Sequence, residues 1–321
     1  MTRIVLRRLA VIPLLLWVVA TVTFAVVQAA PGTYADTIDN PRLTPAARLH
    51  IKTLYGLDQG SFDQYLQWLG ALVQGDLGRS FLFKQPVTDV ITTALPATML
   101  LAGTALVMDL ILGILLALIS ARRPGSWVDR VLTVLSLGVY GLPSFWLAGL
   151  AILFFSLKLS WLPASHMASV GADGWSLGAR WVDFIRHLIL PASILGIVGA
   201  ASTARYLRAS LLDVRKSPHI LAARARGLSE KRILWVHTLR PALGPLVTLI
   251  GLSLPILVGG SVVVETIFSW PGMGRVMWQA AVARDIPVVM GCTLIGALAV
   301  IIGSLVADLL YAWADPRVRS Q

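Results

Sequence analysis

Hydrophobic and polar positions along this chain fall into long blocks rather than short alternations. Six apolar runs occupy residues 9–30, 94–120, 131–157, 187–204, 242–264 and 287–313, separated by polar stretches at 31–93, 121–130, 159–186 and 205–240. A helix needs about 20 apolar residues to cross a bilayer, and each run is of that order or longer. The pattern predicts an all-α, polytopic membrane protein with six transmembrane helices. Arg3, Arg7 and Arg8 precede the first run, which is longer than the roughly 7–15 apolar residues at the centre of a signal peptide. It reads as a retained span with its N-terminus in the cytoplasm, cleavage after Ala30 being the alternative. The stretch 31–93 opens with turn formers and predicts helices at 45–55 and 62–73, a small extracytoplasmic subdomain. Pro143, inside the third run, removes a backbone hydrogen bond and predicts a bend. The fifth run carries Gly244, Pro245, Gly251, Pro255, Gly259 and Gly260, a composition that packs closely and distorts easily. The organisation is therefore residues 1–30, an external loop 31–93, a five-helix core 94–316 bearing a long polar loop at 205–240, and a tail 317–321.

Composition agrees with the pattern. The chain is 56% hydrophobic and 13% charged, with mean hydropathy +0.76, where a soluble domain carries about 25% charged residues. The net charge of +11 raises the question of nucleic acid, and the placement of the charges answers it. With six spans, the side that holds both termini carries 17 basic and 4 acidic residues, an excess of +13. The opposite side carries ten of each, and Asp109 and Asp308 lie at membrane depth. The rule that cytoplasmic loops are positive accounts for the whole excess, predicts N-in, C-in topology and leaves no nucleic-acid partner to infer. The single cysteine, Cys292, excludes a disulfide framework within the chain. No GxxxxGK[ST] or HExxH string is present, so neither ATP nor peptide hydrolysis is expected of this chain.

The most informative polar stretch is SPHILAARARGLSEKRILWVHTLR, residues 217–240. Ser217 is placed to cap a helix that Pro218 opens. Gly227 offers a left-handed stop, and Ser229 is placed to cap a second helix from Glu230 to Arg240. Ala222, Ala223 and Ala225 predict a small-residue surface that a partner protein can approach closely; a charged loop obeying topology is the plain alternative.

The run AARARGLSEKRILWVHTLRPALGPLVT resembles the cytoplasmic coupling ("EAA") loop of ABC-importer permeases, and best that of the dipeptide/oligopeptide/nickel family. That family's loops read roughly ARAKGL and then H-x-LRNAL-x-P. Leu221 stands where the general motif has Glu, and Pro241 where the family usually has Asn. YGLDQG, QYLQWLGALVQGDLGRSF and QPV in the external loop, LPSFWL, WLPAS, VVVETIFSWPGMGR and DLLYAWADPRVRS are similar to strings of the same family, with Ser304 in place of its usual Asn. The resemblance implies a type I importer transmembrane domain, non-catalytic and multi-pass in the bacterial inner membrane. It also implies a second, similar permease, an extracytoplasmic binding protein that delivers solute, and two ABC ATPases that carry ATP and magnesium and receive Leu221, Ala222, Ala223, Arg224, Ala225, Arg226, Gly227 and Leu228. The chain itself would bind no cofactor and no metal. Family substrates are dipeptides, oligopeptides, nickel and metal–opine chelates, of which peptides are the expected class.

Pro143, Gly259, Gly260 and Glu265 are the candidate gate or pathway residues. For Glu265 a gate, a substrate contact and a cap on the turn Pro271–Gly274 are all open, and the cap is the default. Membrane-embedded Asp109 invites a proton-relay reading, hence an ion-driven secondary transporter; packing against a polar neighbour is the preferred one, since no second acid or histidine follows on its face. His166 and His187, 21 residues apart, make a weak metal site. An intramembrane enzyme lacks any nucleophile–base pair.

Overall fold

The computed structural model describes residues 2–29, 53, 58–244, 246 and 262–314, apart from the side chains of 2–10 and 307–314. Among these residues there are helices and no sheet. Helix α1 is Thr2–Ala29, α2 Ser61–Val73, α3 Val87–Arg122, α4 Trp127–Gly141 and α5 Ser144–Ala151, which continues as a π-helical stretch, Ile152–Lys158. After an irregular segment, α6 runs Leu177–Arg215 and α7 Pro218–Ala225. Helix α8, Glu230–Arg232, passes through a π-helical stretch, Ile233–Leu239, into α9, Arg240–Ala242. Then come α10 Val262–Ile267, α11 Met273–Val282 and α12 Ile286–Ala314.

Four segments are long and apolar enough to cross a membrane: Val11–Ala29, Val87–Arg122, Leu177–Arg215 and Ile286–Val306. The pair α4 and α5 makes a fifth if counted as one broken span. Most of the fifth predicted run, with Gly259 and Gly260, lies outside the described residues.

Helices α3 and α6 form the central pair. At about 1.5 Å per residue, their 36 and 39 residues extend roughly 54 and 58 Å, well beyond a hydrocarbon core of about 30 Å. Both therefore project past the apolar layer or cross it obliquely. Their contact is a seam of small residues. On α3, Ala105, Gly113, Ala117 and Ala121 recur every four or eight residues and are buried, while Val107, Ile111, Leu115 and Ile119 on the opposite face are exposed, as a lipid-facing stripe should be. On α6, Gly196, Ala200 and Ala204 meet that seam. A Cβ on Gly196 would lie 2.8 Å from Met108 Cβ, and one on Gly113 2.6 Å from Thr203 Cγ2, so glycine lets the two backbones approach.

Two predicted boundaries need correction. The third run was expected to be one bent span over 131–157; instead α4 and α5 meet at 102°. A residue before proline avoids the helical region, and Leu142, at φ −86° and ψ 135°, ends α4 extended, so that Pro143 becomes the N-cap of α5 rather than a kink within it. The fourth run starts ten residues earlier than expected, at Leu177, where the hydroxyl of Ser176 accepts a hydrogen bond from Ala179 N (3.4 Å). It also ends later: residues 205–215, expected in the loop, are the last turns of α6. The predicted helix at 62–73 is α2; the one at 45–55 lies outside the described residues.

Candidate functional site

The polar loop is built on α7 and its stop. Pro218 takes the first helical position. Ser217 does not cap through its side chain, a correction to expectation: its hydroxyl donates backwards to the carbonyl of Val214, and His219 Nδ1 lies 3.0 Å away. The hydroxyl thus satisfies a carbonyl at the end of α6 rather than an amide at the start of α7. At the other end the stop is complete. Gly227 sits at φ +73°; its N–H donates to Arg224 O (2.9 Å), and Leu228 N–H donates to Ala223 O (3.3 Å). These are the two bonds of a Schellman motif. Ser229 then caps α8 by accepting from Arg232 N (3.4 Å).

A small apolar cluster holds the loop in shape: Ile220, Ala223 and Ile233 are buried together, with Val214 and Leu228 against them. Arg224 Nε donates to Glu230 Oε1 at 2.9 Å across the glycine turn, and this bond holds the Glu230 carboxyl below its usual range. Both side chains are largely exposed, so the pair orients more than it stabilises. The three alanines do not share one face, as the sequence suggested: Ala223 turns into the loop's own core, and the outward face carries Leu221, Ala222, Arg224, Ala225, Arg226 and Gly227, with Leu228 half-buried. That outward face sets an exposed leucine and two alanines among arginines.

Above the loop lies an arrangement that pattern reading missed. Asp129, counted as a loop acid, is buried. Its carboxylate accepts two bonds from Arg208, Nε to Oδ1 at 2.7 Å and Nη2 to Oδ2 at 2.6 Å. It accepts further bonds from Gly125 N (2.8 Å) and the Ser120 hydroxyl.

The second polar junction lies around Glu265, fully buried on α10. Its Oε1 accepts from Thr98 Oγ1 (3.1 Å) and its Oε2 from Arg275 N (3.1 Å), an amide of the first turn of α11. Thr98 Oγ1 in turn accepts from Met273 N (2.7 Å), and Trp270 Nε1 donates to Ala97 O (2.8 Å). Cβ atoms on Gly272 and Gly274 would lie 2.3 and 2.9 Å from Glu265 Oε2, which explains both glycines of the PGMG string. Glu265 thus ties α3, α10 and α11 together. Pro143, at the α4–α5 break, has no part in this junction.

Asp109 faces the α3–α6 seam, where a Cβ on Gly199 would lie 2.7 Å from its Oδ2, and its buried Oδ1 has no hydrogen-bond partner among the described residues. His166 and His187 stay apart: His187 Nδ1 donates to Asp183 O (2.8 Å), while His166 Nδ1 lies 2.9 Å from Ser165 Oγ. Among the described residues no group of three His, Cys, Asp or Glu side chains is placed to hold a metal.

Comparison with known proteins places this architecture. Residues 110–320 match the family profile described as "Binding-protein-dependent transport system inner membrane component", and residues 1–102 match its N-terminal companion. The chain is 39% identical to the oligopeptide transport system permease protein AppB of Bacillus subtilis (strain 168), over 98% of each chain. It is 41% identical to a putative peptide transport system permease protein of Brucella abortus (strain 2308), over 99% of each. Identity to the di/tripeptide transport system permease protein DppB of Pseudomonas aeruginosa (strain UCBPP-PA14) is 36%, over the full length of both. Among solved structures, the inward-facing MetNI methionine ABC transporter superposes with a TM-score of 0.53 at 16% identity, covering 71% of this chain and 97% of that one, a likeness of fold. Two family profiles that together span nearly the whole sequence, full-length relatives near 40% identity and the fold of an importer transmembrane domain converge: the chain belongs to the family of binding-protein-dependent transport system inner membrane components.

Proposed function

We propose that this chain is a permease subunit of an ATP-driven, binding-protein-dependent importer of di- or oligopeptides. It pairs with a second permease, homologous or identical, lies N-in and C-in, and hydrolyses nothing itself. Two partner ATPases bind ATP and magnesium and engage the outward face of α7, while an extracytoplasmic binding protein delivers the peptide. The peptide class rests on the names of the full-length relatives. The observation that carries the coupling role is the Schellman-terminated α7, whose inward residues Ile220 and Ala223 fix it and whose outward residues Leu221, Ala222 and Ala225 offer apolar area beside cations.

The mechanism is mechanical. A ligand shifts a conformational equilibrium only through its different affinity for the two states. ATP closes the nucleotide domains, the seated α7 moves with them, and the attached helices swing the pathway between inward and outward access.

The test is a cysteine scan of residues 220–228 in the assembled transporter with a short crosslinker. Adducts to the ATPase are expected at Leu221, Ala222 and Ala225 and not at Ile220 or Ala223, which turn inward. Equal yields along the whole scan, or none anywhere, would overturn the docking reading. In proteoliposomes with ATP inside and binding protein outside, a labelled di- or tripeptide should accumulate; accumulation of nickel alone would displace the peptide class.

A further inference from the structure

The ion pair above the loop has a second consequence. Helix α6 ends at Arg215, and only Lys216 and Ser217 separate it from Pro218, the first residue of α7. Any displacement of α7 therefore reaches α6 first. Whether it goes further depends on how α6 is joined to its neighbours. Much of that joint is apolar: Ala117, Leu118 and Ala121 of α3 pack on Leu207 and Leu211 of α6 and on Leu239 and Ala242. Apolar contact is non-directional and lets helices slide. The polar contacts are directional. Arg208 grips Asp129 with both arms of its guanidinium, and the same carboxylate holds Ser120 at the end of α3 and Gly125 in the α3–α4 turn. A bidentate pair fixes register as well as contact. Two turns along the same face of α6, Arg215 Nη1 donates to Ala121 O, and between them Ser210 Oγ donates to Ala242 O (3.0 Å) at the end of α9. Asp129 is 4% exposed and Arg208 29%, so the carboxylate is shielded from water while part of the guanidinium reaches it.

We propose that Asp129 and Arg208 are positioning residues for energy coupling: their bidentate pair locks the cytoplasmic ends of α3, α4 and α6 into one body, so that a push on α7 swings three helices together instead of bending α6. The inference rests on the reading that partner ATPases drive α7, and it adds a specific part of the drive train that the coupling-loop motif does not contain.

The experiment uses the full complex with its ATPases and binding protein in proteoliposomes, measuring peptide uptake and ATP hydrolysis in the same vesicles. Wild-type vesicles showing no ATP-dependent uptake would sink the importer reading itself, independently of the pair. With wild type active, Asp129→Asn and Arg208→Gln should lower the ratio of peptide taken up to ATP hydrolysed about tenfold, within the usual range of coupling effects, while hydrolysis continues. Arg208→Lys, which keeps the charge and loses the fork, should fall between. A pair that only supports the fold would lower yield and both rates together and leave the ratio unchanged, which overturns the proposal. A second measurement guards against variants that fail to assemble. Spin labels at exposed His219 and Trp127, on α7 and α4 of the otherwise native chain, should keep a constant separation through the ATP cycle; a separation that changes on ATP binding would equally overturn it.

Discussion

Substitution of Gly227 isolates backbone conformation from packing at the loop's pivot. Gly227 has φ +73°, and a Cβ there would find no heavy atom within 4 Å. Any penalty therefore comes from the left-handed backbone and not from a clash. That penalty is about 1–2 kcal/mol for an ordinary L-residue, greater for a β-branched one, and small for Asn, which tolerates the region. The stop it guards holds two hydrogen bonds and a cluster of three buried residues, a local unit of few contacts and so of low opening free energy. At about 1.4 kcal/mol per tenfold, Gly227→Val should raise the open fraction of α7 some tenfold to thirtyfold, Gly227→Ala less, and Gly227→Asn least. Hydrogen exchange of the Gly227 and Leu228 amides reads that opening directly, and peptide uptake by the reconstituted complex reads its consequence. The expected order of loss is Val, then Ala, then Asn, with the protein still in the membrane. Normal uptake by the Val variant at normal expression would refute the role of the stop. An Asn variant as poor as Val would show that space, not φ, is limiting.

Other expectations follow from the same geometry. Glu265→Ala orphans the Arg275 amide and the Thr98 hydroxyl in a buried site, at about 1–3 kcal/mol for each unsatisfied group; the detergent-solubilised protein should melt several degrees lower, and an unchanged Tm would remove Glu265 as the tie between α3 and α11. Gly199→Val places side-chain atoms on the Asp109 carboxylate, whose Oδ2 would be 2.7 Å from the new Cβ, so the α3–α6 pair should separate and protease-resistant yield should fall, whereas Gly138→Ala, with open space around it, should be silent. A cysteine at exposed Asp58 should react with a membrane-impermeant maleimide in intact spheroplasts, and labelling only after permeabilisation would invert the topology.

Much of this structure was legible in the sequence because hydrophobic length, proline, glycine and capping residues act locally. Gly227 and Ser229 do what their types suggest, since φ and a cap depend on few neighbours. The ends of α6 were not legible: the apolar run marks only the part facing lipid, and the helix continues into polar residues on both sides. Ala223 was misplaced because a short helix offers too few turns to tell its inner face from its outer one until Ile233 packs on it. Asp129 and Arg208 lie 79 residues apart, and no local spacing announces a pair formed only when α4 and α6 meet. The buried Asp285, which accepts from Ser80 Oγ (2.5 Å) and Leu82 N (2.9 Å) and so fastens the segment between α2 and α3 to the start of α12, is missed for the same reason.

Asp109 decides between an ATP-driven machine and an ion-driven one. A carboxylate within a membrane helix is costly, about 2.5–3.5 kcal/mol at the centre on insertion scales, and it persists where it serves transport or finds a partner in the bundle. A proton relay needs a second titratable group within reach to receive the charge. Among the described residues its immediate surroundings are Gly199, whose missing side chain makes room for the carboxylate, and Thr203 on the same helix α6. Neither residue can carry a proton onward as a charge, which favours a place for Asp109 in the α3–α6 seam over a relay. Asp109→Asn keeps the volume, so peptide uptake should stay within about threefold of wild type, a change below roughly 0.7 kcal/mol. Uptake by wild type and variant alike should survive a protonophore and stop when ATP is withheld. If instead the Asn variant assembles normally but takes up nothing, and wild-type uptake proceeds without ATP along an imposed pH gradient, Asp109 is a coupling site and the transporter is driven by protons.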